Sequence, residues 1–306
     1  MIKIKNFLLY AVLLVVILMI AFNIKKISEK IVIFTNNQKE VIIKPSNYYT
    51  KNKDYAFVKH TTDFEPNSYS DLINIFYTLL DQGWNEFTFY CPSSYTTCLD
   101  DVTKISKDKV LLSNINNYVH PYNSYSSVKI IYDELGEVTI KITHLYSDEE
   151  INKINIKIEQ IYASIINESM DRETKIKTIH DYIINNTKYD VDKANHGQSN
   201  YDSSRATGVL FEGYGICSGY TDVMAIFLNK IGIDNFKVSS DTHIWNAINY
   251  NNGWYHIDAT WDDPVSQSGI DSLSHDYFII STEQLKNLDI NNTDHNFDNK
   301  YYLYFS

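Results

Sequence analysis

Cys217 stands between glycines in "GYGICSGYTDVMAIFLNKIG", residues 213 to 232. Behind it Tyr220, Val223, Met224, Phe227, Leu228 and Ile231 recur every three or four residues, and Gly232 follows where a left-handed residue ends a helix. Cys217 lies off that apolar stripe, at the predicted helix N-terminus. Backbone N–H groups there lack intrahelical partners and the helix dipole is positive, a setting that favours thiolate over thiol and so suits a nucleophile. Gly213, Gly215 and Gly219 are expected to let the backbone turn and to leave room beside the sulfur.

A thiolate nucleophile needs a base, and the base an orienting acid. "THIWNAINYNNGWYHIDATWDD", residues 242 to 263, supplies His243 and Asp258 on two strand-like runs joined by an asparagine-glycine turn. An imidazole whose second nitrogen meets a carboxylate holds one tautomer and stabilises a Cys⁻/His⁺ pair. Pairing Asn249 with Trp254 puts Trp245 opposite Asp258 and makes His243 the diagonal neighbour, about 7–8 Å away and within side-chain reach. His256 shares a strand face with Asp258 and is a second candidate base by spacing. His243 is preferred, because Asp258 sits on His256's own strand. Trp245, Trp254 and Trp261 are expected to pack around the hairpin.

"RATGVLFEGYGICSGYTDVM", "HIWNAI" and "GWYHIDATWDDP" resemble, in order and spacing, the three catalytic segments of the transglutaminase-like superfamily, whose fold is related to papain-type cysteine proteases. The resemblance covers roughly residues 170 to 285 and extends to the strand-like "HDYFIIS". It implies Cys217 as nucleophile, His243 as base and Asp258 as third member, with acyl chemistry on protein or peptide amides through a thioester. Cross-linking, peptidase and amidase outcomes all occur within such a family, so the fold alone does not select one. No cofactor motif and no calcium loop is legible, and no metal is expected.

The elements that must position these groups form an α+β chain. "SDEEINKINIKIEQIYASII" opens with Ser147 three residues before Glu150, a capping box, and carries Ile151, Ile154, Ile158, Ile161 and Ile165 as a core stripe. "RETKIKTIHDYIINNT" turns Ile176, Ile179 and Ile183 inward. "KYDVDKANHGQSNYDSS" reads as a solvated loop, in which Asp190, Asp192 and His196 match no metal spacing. Upstream, "KEVIIK" and "EFTFY" read as strands and "SDLINIFYTLLDQG" as a helix with Leu72, Ile75, Phe76, Leu79 and Leu80 on one face, Ser70 as N-cap and Gly83 as stop. "SVKIIYDELGEVTIKITHLY" reads as a hairpin around Gly136, and His60, His120 and His144 are isolated. The division is therefore an N-terminal segment over 1–30, a small α+β domain over 31–145 and a transglutaminase-like domain over 146–306.

Phe7 to Ile24 is an uncharged apolar run, about 27 Å long as a helix, enough for the hydrocarbon core of a bilayer. Lys3 and Lys5 precede it and Lys25, Lys26 and Lys30 follow. The expectation is a single-pass anchor with the body outside the cell, the alternative being a cleaved signal and secretion. Export makes a disulfide between Cys91 and Cys98 one option and two buried thiols the other, while Cys217 lacks a partner. With 306 residues, 44% of them hydrophobic, the chain has material for a sizeable core. A formal net charge of -11, with no basic stripe, argues against nucleic acid as a partner. Two function classes stand: a membrane-anchored thiol acyltransferase or amide hydrolase, and a surface binding or scaffolding module that keeps the fold without turnover.

Overall fold

The computed structural model describes residues 2–24, 50–51, 53–58, 64–134, 136–264, 273–290 and 292–305, with the side chains of 2–9 and 11 outside that description. The strand expected over "KEVIIK", the lysines after the apolar run and His60 lie outside the described residues. Helix α1 runs Ile2–Phe22, and the side chains of Val12 through Ile20 are exposed. Among the described residues, no helix is long and apolar enough to cross a membrane.

The chain forms two compact units, one from Met1–Lys44, Ala56–Leu112 and Ser126–Thr143, the other from Pro45–Tyr55, Ser113–Tyr125 and His144–Ser306. In the first, α2 (Tyr69–Asp81) buries Leu72, Ile75, Phe76, Leu79 and Leu80. Its N-cap is Ser68, not Ser70: Ser68 has the extended backbone a cap requires and its side chain accepts from the Asp71 N–H, whereas Ser70 is already helical. β1 (Glu86–Tyr90) leads to α3 (Cys98–Lys107), and α4 (Lys109–Asn116) follows. β2 (Tyr125–Tyr132) and β3 (Glu137–His144) flank Gly136, at φ +99, and the sheet order is β1-β3-β2. Phe87 faces Ile140 and Phe89 faces Val138 across β1 and β3, so one face of the sheet is apolar. Cys91 and Cys98 are joined as a disulfide, with Cα atoms 5.7 Å apart.

The second unit carries the chemistry. α5 (Asp148–Ile165) begins with the Ser147/Glu150 capping box and buries Ile154, Ile158 and Ile161, while α6 (Arg172–Asn185) buries Ile176, Ile179 and Ile183. The segment read as a loop contains more structure: β4 (Lys188–Tyr189), then α7 (Val191–His196), whose N-cap Asp190 accepts from the Lys193 N–H at 3.0 Å. Asp190 is thus a cap, which the apolar-period search missed because a six-residue helix has no stripe. β5 (Tyr214–Gly215) pairs in parallel with β4 and delivers the chain to α8 (Cys217–Lys230). β6 (Asn235–Ser239), β7 (Ile244–Tyr250), β8 (Gly253–Ile257) and β9 (Phe278–Ile280) form an antiparallel sheet in that order, followed by α9 (Thr282–Leu288). Val223, Met224 and Phe227 of α8 share a core with Ile248 and Ile257 of the sheet and with the isoleucine faces of α5 and α6. The unit is a mixed α+β fold in which the cysteine-bearing helix packs on an antiparallel sheet.

Candidate active site

Cys217 is the first residue of α8, half-buried, and among the described residues the only cysteine outside a disulfide. Two hydrogen bonds fix its helix to the neighbouring strand. Thr221 Oγ1 donates to the Ile244 carbonyl at 3.0 Å, and Asn246 Nδ2 donates to the Thr221 carbonyl at 3.1 Å. At the far end the Gly232 N–H donates to Asn229 O and the Ile233 N–H to Leu228 O, closing the helix in a Schellman motif at the glycine the sequence marked. His243 stands one residue before β7, pinned by a turn in which its N–H donates to Ser240 Oγ at 3.0 Å. The β7–β8 hairpin pairs Asn249 with Trp254, the register needed to bring His243 and Asp258 to one face. Its loop is the two residues Asn251 and Asn252, at φ 50 and 64, and Gly253 already pairs with Tyr250. The turn is therefore asparagine-asparagine, since both residues tolerate the left-handed backbone that matches the strand twist.

The start of α8, the start of β7 and the end of β8 converge, and three side chains meet there. His243 Nε2–H donates to Asp258 Oδ2, and the Cys217 side chain hydrogen-bonds the same ring, so Nδ1 is the nitrogen left for the sulfur. Burial works to lower the His243 pKa, but the charge and hydrogen bond of Asp258, with those of Cys217, outweigh it and raise the ring from 6.5 to about 10. At neutral pH the ring is an imidazolium. Asp258 is fully enclosed, which opposes its charge. The charge and hydrogen bond of His243, together with His295, nevertheless hold its carboxyl well below the usual carboxylate range. Its other oxygen, Oδ1, accepts the N–H groups of Thr260 at 2.9 Å and Trp261 at 3.1 Å, so the carboxylate is held at both ends.

Residues 159–259, which contain all three groups, match the family model of the transglutaminase-like superfamily. That segment is similar to this superfamily. Among solved structures, the chain is similar to a TGase (17% identity, 47% of this chain, 46% of that one, TM-score 0.33). It is also similar to a proposed cysteine protease from Cytophaga hutchinsonii (13% identity, 48% and 65%, TM-score 0.28). A third is a proposed protease from Parabacteroides distasonis (16% identity, 49% and 41%, TM-score 0.27). The chain spans less than two thirds of the length of each of these, and none of the three scores carries a functional argument. No curated protein matches the chain.

Within the transglutaminase-like segment, the rival base is accounted for differently. His256 Nδ1 accepts from Trp245 Nε1–H at 3.0 Å, so its proton sits on Nε2, which donates to Thr282 Oγ1 at 3.0 Å. Burial, with the nearby His295, lowers its pKa to about 3. His256 is a neutral, doubly engaged ring that braces the hairpin against α9. The glycines also need correction. Gly213, at φ +71, does turn the chain. A Cβ on Gly215 would meet the Tyr220 ring at 2.6 Å, and one on Gly219 would meet the Ser203 carbonyl oxygen at 2.5 Å. These two glycines admit neighbouring parts of the protein, not a ligand.

His295 went unnoticed in the sequence. It lies far from any motif, in a segment without periodicity, yet its Nε2–H donates to Asp258 Oδ2 at 2.8 Å and its Nδ1–H donates to Asp289. Among the described residues, two sets of groups bring potential metal-ligand atoms within 4.8 Å of one another: His243, Asp258 and His295, and His180, Asp181 and His275. In the first, both imidazoles already donate to Asp258. In the second, the Lys177 ammonium stands 2.7 Å from both His275 Nε2 and Asp181 Oδ2, so a cation of the chain's own fills the position. Asp192 and His196 form an exposed pair across a helical turn, separated by 3.8 Å.

Proposed function

We propose that the protein is a cell-surface thiol acyltransferase or amide hydrolase acting on proteins or peptides. The observation that carries this reading is the connected series from Cys217 through His243 to Asp258, with the sulfur at a helix start and the ring protonated. The Cys217 sulfur attacks an amide carbonyl, and His243 gives its proton to the leaving amine, producing a thioester. The ring, now neutral, takes a proton from the incoming amine or water as that group attacks, which releases the acyl product and regenerates the pair. Asp258 keeps the ring oriented and stabilises its charge. As first residue of α8, Cys217 has a backbone N–H without an intrahelical partner, the donor we assign to the developing oxyanion.

The setting outside the cell is supported by the Cys91–Cys98 bridge, which persists in oxidising compartments. The test is mass spectrometry of the full chain after brief iodoacetamide treatment at several pH values, with His243→Ala beside it. Labelling of Cys217 that stays fast well below the free-thiol pKa of about 8.5, and is slowed by the substitution, is the expected result. Ordinary thiol pH dependence, unaffected by His243→Ala, would favour the binding module instead.

A further inference from the structure

We infer that His295 is a positioning residue of the active site: a second imidazole that holds Asp258 in place at the same oxygen that meets His243, itself held by Asp289. This rests on the proposed roles of Cys217, His243 and Asp258.

His243, Asp258, His295 and Asp289 form one hydrogen-bonded line. Asp258 Oδ2 receives two imidazole N–H groups, from His243 and from His295 at 2.8 Å, and His295 passes on to Asp289 through its other nitrogen. Both nitrogens of His295 face carboxylate oxygens, so the ring is tied at both ends. Aromatic rings enclose it. The ring stacks on Tyr277 with centroids 5.1 Å apart, meets Trp245 edge to face at 4.8 Å and lies 5.2 Å from Trp261. Asp289 is fixed in turn by the Tyr277 hydroxyl, which donates to its Oδ1 at 3.2 Å, and by the His295 N–H.

This geometry does two things for the thiol. It removes rotational freedom from Asp258, which would otherwise be anchored to the backbone through Oδ1 alone. It also sets a second hydrogen-bond partner on the oxygen that accepts from His243, which tempers how strongly Asp258 holds the His243 proton. A proton held too tightly is poorly delivered to a leaving amine. A small cavity borders Asp289, Asn292 and His295.

The experiment uses the full chain and two probes: iodoacetamide, for the reactivity of Cys217, and p-nitrophenyl acetate, for the burst of acyl-enzyme formation. His295→Phe keeps the aromatic packing and removes both N–H groups. Its alkylation rate and burst rate are expected to fall by about tenfold or more, the scale of losing a group that orients a catalytic ligand, with an unchanged KM for the ester. His295→Gln, which restores one donor to Asp258, is expected to recover a large part of both rates. Should His295→Phe fail to fold, Asp289→Asn leaves the ring in place and removes its anchor, and a clear slowing of both rates is expected there. Wild-type rates in a folded His295→Phe or Asp289→Asn variant, or no recovery in a folded His295→Gln, overturn the inference. His243→Ala separates the two levels. If it alkylates as fast as wild type, the triad reading itself fails; if it is slow while His295→Phe is not, only the role of His295 fails.

Discussion

His243 titrates far from its ordinary value, and this has two measurable consequences. A ring raised to about 10 loses its proton only in alkaline solution, so acylation by Cys217 is expected to hold through neutral pH and to fall near pH 10. A pH–rate profile of acylation by a peptide amide, whose leaving amine needs that proton, checks this. For stability the sign follows from the direction of the shift. A histidine raised in the folded state contributes stabilisation that is fully present below its unfolded value of 6.5 and is lost as pH rises through about 10. Wild type is thus expected to lose melting temperature across that window, and His243→Gln to lose less. Asp258→Asn is expected to lower turnover on the order of 10³–10⁴-fold while the chain still folds, because the amide supports the wrong tautomer. An effect below about tenfold on the p-nitrophenyl acetate burst would deny Asp258 the orienting role. Cys217, His243 and Asp258 were legible because a helix start and one hairpin bring them together, both marked by local periodicity. His295 was not, because its partner Asp258 is 37 residues away and no local pattern joins them.

At the scale of elements, α8 is the part whose position decides the site. It lies so close to the preceding segment that a Cβ on Gly219 would meet the Ser203 carbonyl oxygen at 2.5 Å, Val209 Cγ2 at 3.0 Å and the Arg205 carbonyl oxygen at 3.1 Å. Backbone oxygens yield little. Gly219→Ala is therefore expected to destabilise the fold by about 1–3 kcal/mol, read as a lower urea midpoint, and to slow Cys217 alkylation by shifting the helix start. A variant with wild-type midpoint and alkylation would show that the segment before α8 can move aside. The long helices and the hairpin register were legible, since repeated apolar residues specify both which face is buried and which residues pair. The short helix over Val191–His196 was not, because a cap and one turn leave no period to count. Nor was the packing role of Gly215 and Gly219, for what a glycine admits depends on segments the local sequence does not name.

Across the whole molecule, the second unit is held together by polar groups buried in its interior. Lys237 and Asp222 are almost wholly enclosed and lie 3.1 Å apart, and the Tyr146 hydroxyl donates to the other Asp222 oxygen at 2.7 Å. Asp222→Ala would strand an ammonium in the core, and a loss of about 3–5 kcal/mol is expected in urea unfolding. Asp222→Asn, which keeps a partner for Tyr146, is expected to lose less. The α+β character and the placement of the cysteine helix on an antiparallel sheet were legible from element order. The contribution of residues 113–125 to the site-bearing unit was not, because its links are long in sequence: Tyr302 donates to Asn114 at 2.6 Å and accepts from Asn117 at 2.8 Å and from the Ser239 N–H at 2.9 Å. On the ribosome, Asn114 and Asn117 emerge well before the tyrosine they await, and His295 emerges well after Cys217. The relay behind the thiol is thus completed only once that later segment has been made, so that a nascent chain carries its cysteine well before it carries a competent one.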